Sequence, residues 1–181
     1  MRRLSITGVA GAAVVIAGVT LADPAGASRS SVSVSFASDT TSSAGWCGHG
    51  HSAICLTIGS GPSSSVFAAV VLHHISSSLP STSPTFTTDN YNSGSPRWYI
   101  PLTGGAYLFG YPSNPHLNGN DFAWSVNNCP PVNSNTYMGY SDAVAAVNSS
   151  CPGSVTGAEI IADGDQAAGT TDTITGLQYG G

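Results

Sequence analysis

Residues 97–111 read RWYIPLTGGAYLFGY, and this stretch decides the class of fold. Apolar side chains occupy every second position of its first half, at Trp98, Ile100 and Leu102. Such alternation is typical of a β-strand that buries one face. The glycines of 103–105 can turn the chain before a second alternating run at 106–111, which predicts a β-hairpin. Pro101 has no N–H to donate, so we expect its strand to be at a sheet edge or bulged there.

Short runs of the same kind recur along the chain, at 32–36, 53–58, 122–126, 159–162 and 173–179. The run at 66–72 fits a buried strand or a helix that begins after Ser65 as N-cap. Residues 141–148 predict a short helix, with Ser141 as its N-cap. Many short strands between Gly, Pro and Asn turns favour a mostly β fold, a two-layer antiparallel β-sandwich or barrel with one or two short helices.

The first 27 residues have the features of a secretory signal peptide. Arg2 and Arg3 precede an uncharged apolar stretch over 4–22, and the small residues of 25–27 suit a signal peptidase. A membrane anchor is the alternative, because about 20 apolar residues can span a bilayer. The small-residue cleavage site favours removal, so we expect a secreted, extracellular protein without a membrane segment in its mature form.

The mature chain is then expected to contain a Ser/Thr-rich segment over 28–45, with one strand, and a single disulfide-stapled domain over 46–181. Removal of 1–27 leaves two arginines, no lysine and eight acids, a net charge of −6. Nucleic-acid binding is excluded as a function, because phosphate recognition requires clustered basic side chains.

Four cysteines lie in the mature chain, at Cys47, Cys55, Cys129 and Cys151. An even number in an exported chain indicates disulfides, for which three pairings exist. The local pairs 47–55 and 129–151 are favoured, because each brackets loop-forming residues. The alternative is a zinc or copper site, in which His49 and His51 would join the first two thiolates.

Aromatic residues support a binding function. Tyr and Trp side chains amid Asn and Ser suit neutral sugars, through stacking and hydrogen bonds. The sequence predicts a ligand-binding set of Tyr99, Tyr107, Tyr111 and Trp124. Whether the tyrosines of 107–111 share a face with Tyr99 or with Trp98 depends on the register, which the sequence leaves open.

A calcium site is a further hypothesis, because carboxylates cluster near the C-terminal end of the chain. Its ligands would be Asp163, Asp165 and Asp172, in a Gly-rich segment with other oxygen donors nearby. The spacing does not match an EF-hand loop. No other cofactor is expected.

We assign no catalytic residue from the sequence. Residues 139–143 resemble the G-x-S-x-G nucleophile elbow of α/β-hydrolases, but no histidine follows Ser141 to act as its base. We therefore expect a non-catalytic secreted module that binds a neutral polysaccharide or another extracellular polymer. One alternative is a small secreted hydrolase that uses Asp or Glu as acid and base. Another is a protein-binding or inhibitor-like module that presents the 47–55 loop.

Overall fold

A computed structural model describes residues 32–91, 93–112, 122–132 and 136–180. The predicted leader, 1–27, lies outside the described residues, and so does the start of the 28–45 segment. The strands are β1 Ser33–Ser38, β2 Ser43–Cys47, β3 Ala53–Thr57, β4 Phe67–His73, β5 Thr85–Thr88, β6 Arg97–Pro101, β7 Tyr107–Tyr111, β8 Ala123–Asn127, β9 Ala158–Asp163 and β10 Thr171–Gln178. The helix α1 spans Tyr140–Ser150, and 3₁₀ turns lie at His49–His51 and Thr103–Gly105.

Two antiparallel sheets pack face to face. The larger sheet has the order β1-β4-β9-β6-β7-β8, and the smaller sheet has the order β2-β3-β10-β5. Of the described residues, 43% lie in strands and 12% in helices. The predicted mostly β, two-layer antiparallel fold with a short helix is therefore confirmed.

A glycine between two tryptophans fixes the packing inside the larger sheet. Trp98, Gly110 and Trp124 face one another across β6, β7 and β8. Both indoles are fully buried. A β-carbon on Gly110 would lie 2.6–2.7 Å from three ring atoms of Trp124. The indole therefore occupies the space that any other residue would fill.

The ambiguous run at 66–72 is a strand, β4, in the interior of the larger sheet. Val70 and Leu72 face the core, but Ala69 on the opposite face is only 1% exposed. A strand that is covered on both faces loses its alternation of apolar and polar residues. This is why the sequence pattern fits a helix equally well.

The strands β2 and β5 were not predicted from the sequence. Both form edges of the smaller sheet, and each has a single large apolar side chain, Trp46 and Phe86 respectively. The 28–45 segment accordingly contributes both β1 and the start of β2 to the sandwich.

The expectation that Pro101 belongs to an edge strand is wrong, because its strand β6 is central in the larger sheet. Pro101 is the last residue of β6, where pairing with β9 has already ended at Tyr99.

The helix α1 begins one residue earlier than predicted, and Ser141 is not its N-cap. Gly139 occupies that position, without a side-chain cap, and its carbonyl accepts the N–H of Ala143 at 3.0 Å. Tyr140 packs on Trp124, with ring centroids 4.9 Å apart, and this contact draws the first turn onto the core. No helix in the described part of the chain has the length and apolarity needed to span a bilayer.

Both predicted disulfides are present. Cys47–Cys55 joins the paired strands β2 and β3, and Cys129–Cys151 joins the end of β8 to the C-cap of α1. Because these sulfurs are bonded to one another, a zinc or copper site with their thiolates is excluded.

The connection from β1 to β2, which leads from the larger sheet to the smaller one, is held by Asp39. One carboxylate oxygen accepts the N–H and hydroxyl of Thr41 and the N–H of Ser42. The other accepts the Ser42 hydroxyl at 2.6 Å and the N–H of Phe67, at the start of β4, at 2.7 Å. Burial alone would raise the pKa of Asp39, but these hydrogen bonds outweigh it and lower the pKa well below 3.8.

The substitution Gly110→Ala should destabilise the protein by about 2 kcal/mol, because the new methyl group displaces a rigid, fully buried indole. Gly45→Ala is the matched control, since Gly45 also lies in a strand and a β-carbon there has no neighbour within 4 Å. We expect that control to change the free energy of unfolding by less than about 0.5 kcal/mol. Urea denaturation measures both, and equal effects would contradict the packing argument.

The substitution Asp39→Asn should destabilise the protein by about 1–2 kcal/mol at pH 7. The loss is no larger because the Asp39 side chain is partly exposed, and water screens its charge. The folded pKa is depressed, so the stabilisation is complete above the unfolded pKa and is lost as pH falls towards the folded pKa. The difference between wild type and variant should therefore shrink between pH 5 and 2.5. A constant difference across that range would refute the assignment.

Candidate functional site

The outer face of the larger sheet, which points away from the smaller sheet, carries a run of aromatic side chains. The register pairs Tyr99 with Phe109 and Pro101 with Tyr107, so the second hairpin strand shares the face of Tyr99. Leu108 faces the core instead and is fully buried. Beyond β8, Met138 pairs with Trp124 and brings Tyr137 to the same side. The aromatic strip is defined as Tyr99, Tyr107, Phe109, Tyr111 and Tyr137.

The rings of the aromatic strip contact one another in an unbroken series. The Tyr99 centroid lies 5.4 Å from Tyr107 and 5.5 Å from Phe109. The series continues from Phe109 to Tyr111 at 6.0 Å, and from Tyr111 to Tyr137 at 5.6 Å. Neighbouring planes are inclined by 42–79°, so the strip presents both faces and edges of its rings. Tyr137 is 42% exposed, and the other members are partly buried.

The charges beside the aromatic strip are largely neutralised. The guanidinium of Arg97 lies 5.2 Å from the centroid of Phe109 and forms an ion pair with Asp163. Their side chains are only 13% and 22% exposed. A cation over a ring face is attracted by the ring quadrupole, so Arg97 is held from two sides.

Glu159 lies opposite Tyr99 across β9 and β6 and places a carboxylate next to the aromatic strip. Burial raises the pKa of Glu159. Burial also raises the pKa of Tyr99, with smaller contributions from Glu159 and Tyr107. Tyr99 therefore keeps its hydroxyl proton at neutral pH and can donate a hydrogen bond, while Glu159 offers an acceptor beside it.

The structure separates Trp124 from the three predicted tyrosines. It lies on the core face and has no exposed surface, so it cannot stack on a ligand. Its Nε1–H donates to the hydroxyl of Ser83 at 3.1 Å, and its ring packs on Tyr140. Neighbouring positions along a strand point to opposite faces of the sheet. Trp124 pairs with Gly110, which is on the inner face, so Trp124 also points inward.

The three aspartates of the calcium hypothesis have different surroundings. Asp163 pairs with Arg97, Asp165 is exposed, and Asp172 is fully buried. Among the described residues, no three His, Cys, Asp or Glu side chains form a group that could hold a metal ion. The geometry therefore gives the calcium hypothesis no support.

Asp172 belongs to a buried polar network on the inner face of the smaller sheet. Gln166 donates from Nε2 to Asp172 at 2.7 Å and to the carbonyl of Gly94 at 2.8 Å. Asn90 donates to the Gln166 carbonyl oxygen at 2.9 Å. One carboxylate oxygen of Asp172 has no hydrogen-bond partner within the described ranges. Burial raises the pKa of Asp172, and hydrogen bonds from Gln166 and Asn90 oppose that effect only in part.

The candidate residues for hydrolase chemistry are Ser141 of the elbow-like motif and the acids Asp89, Asp121, Asp142, Glu159, Asp163 and Asp165. Ser141 is exposed in the first turn of α1, beside Asp142. Asp89 accepts the N–H of Thr173 at 2.8 Å. Asp121 lies outside the described residues. Glu159 and Asp163 both lie beside the aromatic strip, and Asp163 is paired with Arg97.

Three members of this surface were absent from the predicted set: Phe109, Tyr137 and Glu159. Phe109 lies two positions from both Tyr107 and Tyr111 and shares their face of the strand, so a known register would have included it. Tyr137 reaches the strip through an isolated bridge, and Glu159 through a partner strand distant in sequence. Neither contact leaves a signal in the local sequence.

Comparisons with known protein families, with curated proteins and with solved structures found no match to this chain.

The substitution Asp172→Asn should stabilise the protein more at pH 7 than at pH 4. The pKa of Asp172 is raised in the folded state, so ionisation of this side chain destabilises the fold. This cost is absent below the unfolded pKa and is complete once the pH has risen through the folded pKa. The expected differential is about 1 kcal/mol, the lower end of the cost of an incompletely satisfied buried polar group. Urea denaturation at the two pH values measures it.

Asp165→Asn is the control for this experiment, because that exposed side chain should give the same small effect at both values. A variant of Asp172 that gains nothing between pH 4 and pH 7 would contradict the assigned direction.

Proposed function

We propose that this chain is a secreted, non-catalytic module that binds a neutral polysaccharide through the aromatic strip. The observation that carries the proposal is the placement of four contiguous rings of the β6–β7 hairpin on the outer face, extended by Tyr137. Aromatic side chains pack on apolar faces of a ligand, and tyrosines add hydroxyls that make hydrogen bonds. Partly exposed rings on a rigid antiparallel sheet supply such contacts with little loss of conformational entropy.

Charge favours a neutral polymer over an acidic one. Without residues 1–27 the chain carries a net charge of −6, and Glu159 lies beside Tyr99. The Arg97 guanidinium beside the strip is already paired with Asp163. An acidic glycan would therefore meet like charges beside the strip, where the guanidinium of Arg97 is already neutralised. Hydroxyl groups, in contrast, can donate to Glu159 and accept from the tyrosines.

Secretion is part of the same proposal. The two disulfides suit an oxidising compartment outside the cytosol. The leader-like residues 1–27 supply the export signal that such a location requires. A neutral extracellular polymer is then a partner that the protein can reach.

The experiment is a depletion assay on insoluble cellulose, chitin, xylan and starch with the chain from residue 28 onwards. The double variant Tyr99→Ala with Tyr107→Ala should weaken retention about 30-fold, because each lost ring contact is worth about 1 kcal/mol. The matched double variant Tyr99→Phe with Tyr107→Phe keeps both rings and loses only hydroxyl groups that water also hydrogen-bonds, so its affinity should fall by no more than about fivefold in all.

Tyr91→Ala is the control for surface tyrosines in general, because Tyr91 is 53% exposed but lies outside the aromatic strip. It should bind as the wild type does. Two results would overturn the proposal: no retention of the wild-type protein on any of the four polymers, or equal retention of the wild type and the double alanine variant.

A further inference from the structure

The carboxylate of Glu159 is an acceptor without a partner beside the aromatic strip. Glu159 and Tyr99 face each other across β9 and β6, on the outer side of the larger sheet. The β-carbons of residues paired in this way lie about 5 Å apart. Within the part of the chain that the structure describes, no hydrogen bond and no ion pair engages this carboxylate. Both of its oxygens can therefore accept from a ligand that lies on the rings.

The described neighbours of Glu159 leave its charge without a counter-ion. Its partner across β4 is the apolar residue Val71. The imidazole of His73, two positions further along β4, lies 2.7 Å from the hydroxyl of Ser35. The guanidinium of Arg97 is already held in its ion pair. Burial raises the pKa of Glu159, and a cation bound beside this side chain would oppose that effect by stabilising the ionised form.

The rings next to Glu159 are suited to a positive charge. The face of an aromatic ring attracts a cation within about 6 Å of its centroid. The protein already contains one such contact, because the guanidinium of Arg97 lies 5.2 Å from the centroid of Phe109. The ring of Tyr99 lies 5.5 Å from Phe109, and that of Tyr107 lies 5.4 Å from Tyr99. An ammonium group over these tyrosines would be attracted by a ring face and by the unpartnered carboxylate together.

Net charge acts in the same direction at longer range. Without residues 1–27 the chain carries a net charge of −6. Complementary charge favours the encounter of two partners and suppresses binding of a ligand of like sign. A ligand with amino groups therefore complements the protein as a whole, and the carboxylate of Glu159 specifies where one amino group is bound.

We propose that the aromatic strip selects a polysaccharide that carries free amino groups, and that Glu159 accepts hydrogen bonds from one protonated amino group of the chain. The sugar rings contact the aromatic side chains, and the ammonium group contacts the carboxylate. Hydrogen bonds between ionised groups are stronger than those between neutral ones, so this contact determines the choice of sugar. The inference rests on the polysaccharide binding proposed above, and it narrows the polymer from a neutral one to one that is partly amino-substituted.

The test compares two matched tetrasaccharides, cellotetraose and the β-1,4-linked tetramer of glucosamine. The two share a backbone, and the second carries an amino group where the first carries a hydroxyl. Isothermal titration calorimetry is performed at pH 6, where sugar amines are largely protonated, and at physiological ionic strength, which screens long-range attraction. The wild type should bind the glucosamine tetramer about tenfold more tightly than cellotetraose, the low end of the effect of a hydrogen bond to a charged group.

The variant Glu159→Gln keeps the shape of the side chain and removes its charge, so it should lower this preference from about tenfold to about twofold. Asp89→Asn is the matched control, because it removes the same charge from beside β10 of the smaller sheet and keeps an oxygen that can accept the N–H of Thr173. The control should retain the tenfold preference of the wild type.

Three results would overturn the inference: no preference of the wild type for the glucosamine tetramer, a preference that persists in Glu159→Gln, or an equal reduction in Asp89→Asn. Each of them leaves polysaccharide binding itself to the depletion assay on insoluble polymers, in which the ring variants decide. Failure of that assay, in contrast, removes the aromatic strip as a binding surface. The two failures are therefore distinguishable.

Discussion

The absence of a side chain at Gly110 is the constraint on which the surface of this protein depends. Trp98 and Trp124 need the same layer between the sheets, and only a glycine between them leaves room for the second indole. With Gly110 and Leu108 turned inward, the alternate residues of β7 must point outward. The aromatic strip is therefore a consequence of core packing, since the register that accommodates Trp124 also exposes Tyr107, Phe109 and Tyr111.

Scarce charge shapes the rest of the structure. Because the chain has few basic side chains, most carboxylates need partners that are not cations. Three aspartates show three different environments. Asp39 is satisfied by backbone and hydroxyl donors and Asp163 by Arg97, whereas the amides of Gln166 and Asn90 satisfy Asp172 only in part. The hydrogen bonds of Asp39 favour its ionised form, and the burial of Asp172 favours its protonated form, so the two acids contribute pH dependence of opposite sign.

The two sides of the larger sheet have different roles. The aromatic strip on the outer side is an extended, partly exposed surface. The inner side carries the indole layer that fixes the register of the hairpin, and Tyr179 packs against Trp98 in that layer with ring centroids 5.6 Å apart.

Local alternation and turn chemistry determined the β class, most strands, the hairpin and the local disulfide pairs, because these depend on neighbours in the sequence. The edge strands β2 and β5 were not predicted, because their few apolar side chains give no periodic signal. The strand β4 was ambiguous because both of its faces are covered. Only the tertiary structure decided which aromatic face is exposed, that Trp124 belongs to the core, and that Glu159 and Tyr137 join the strip. Those outcomes depend on the pairing of strands far apart in the chain, and such pairing is set by how side chains fill the space between two sheets.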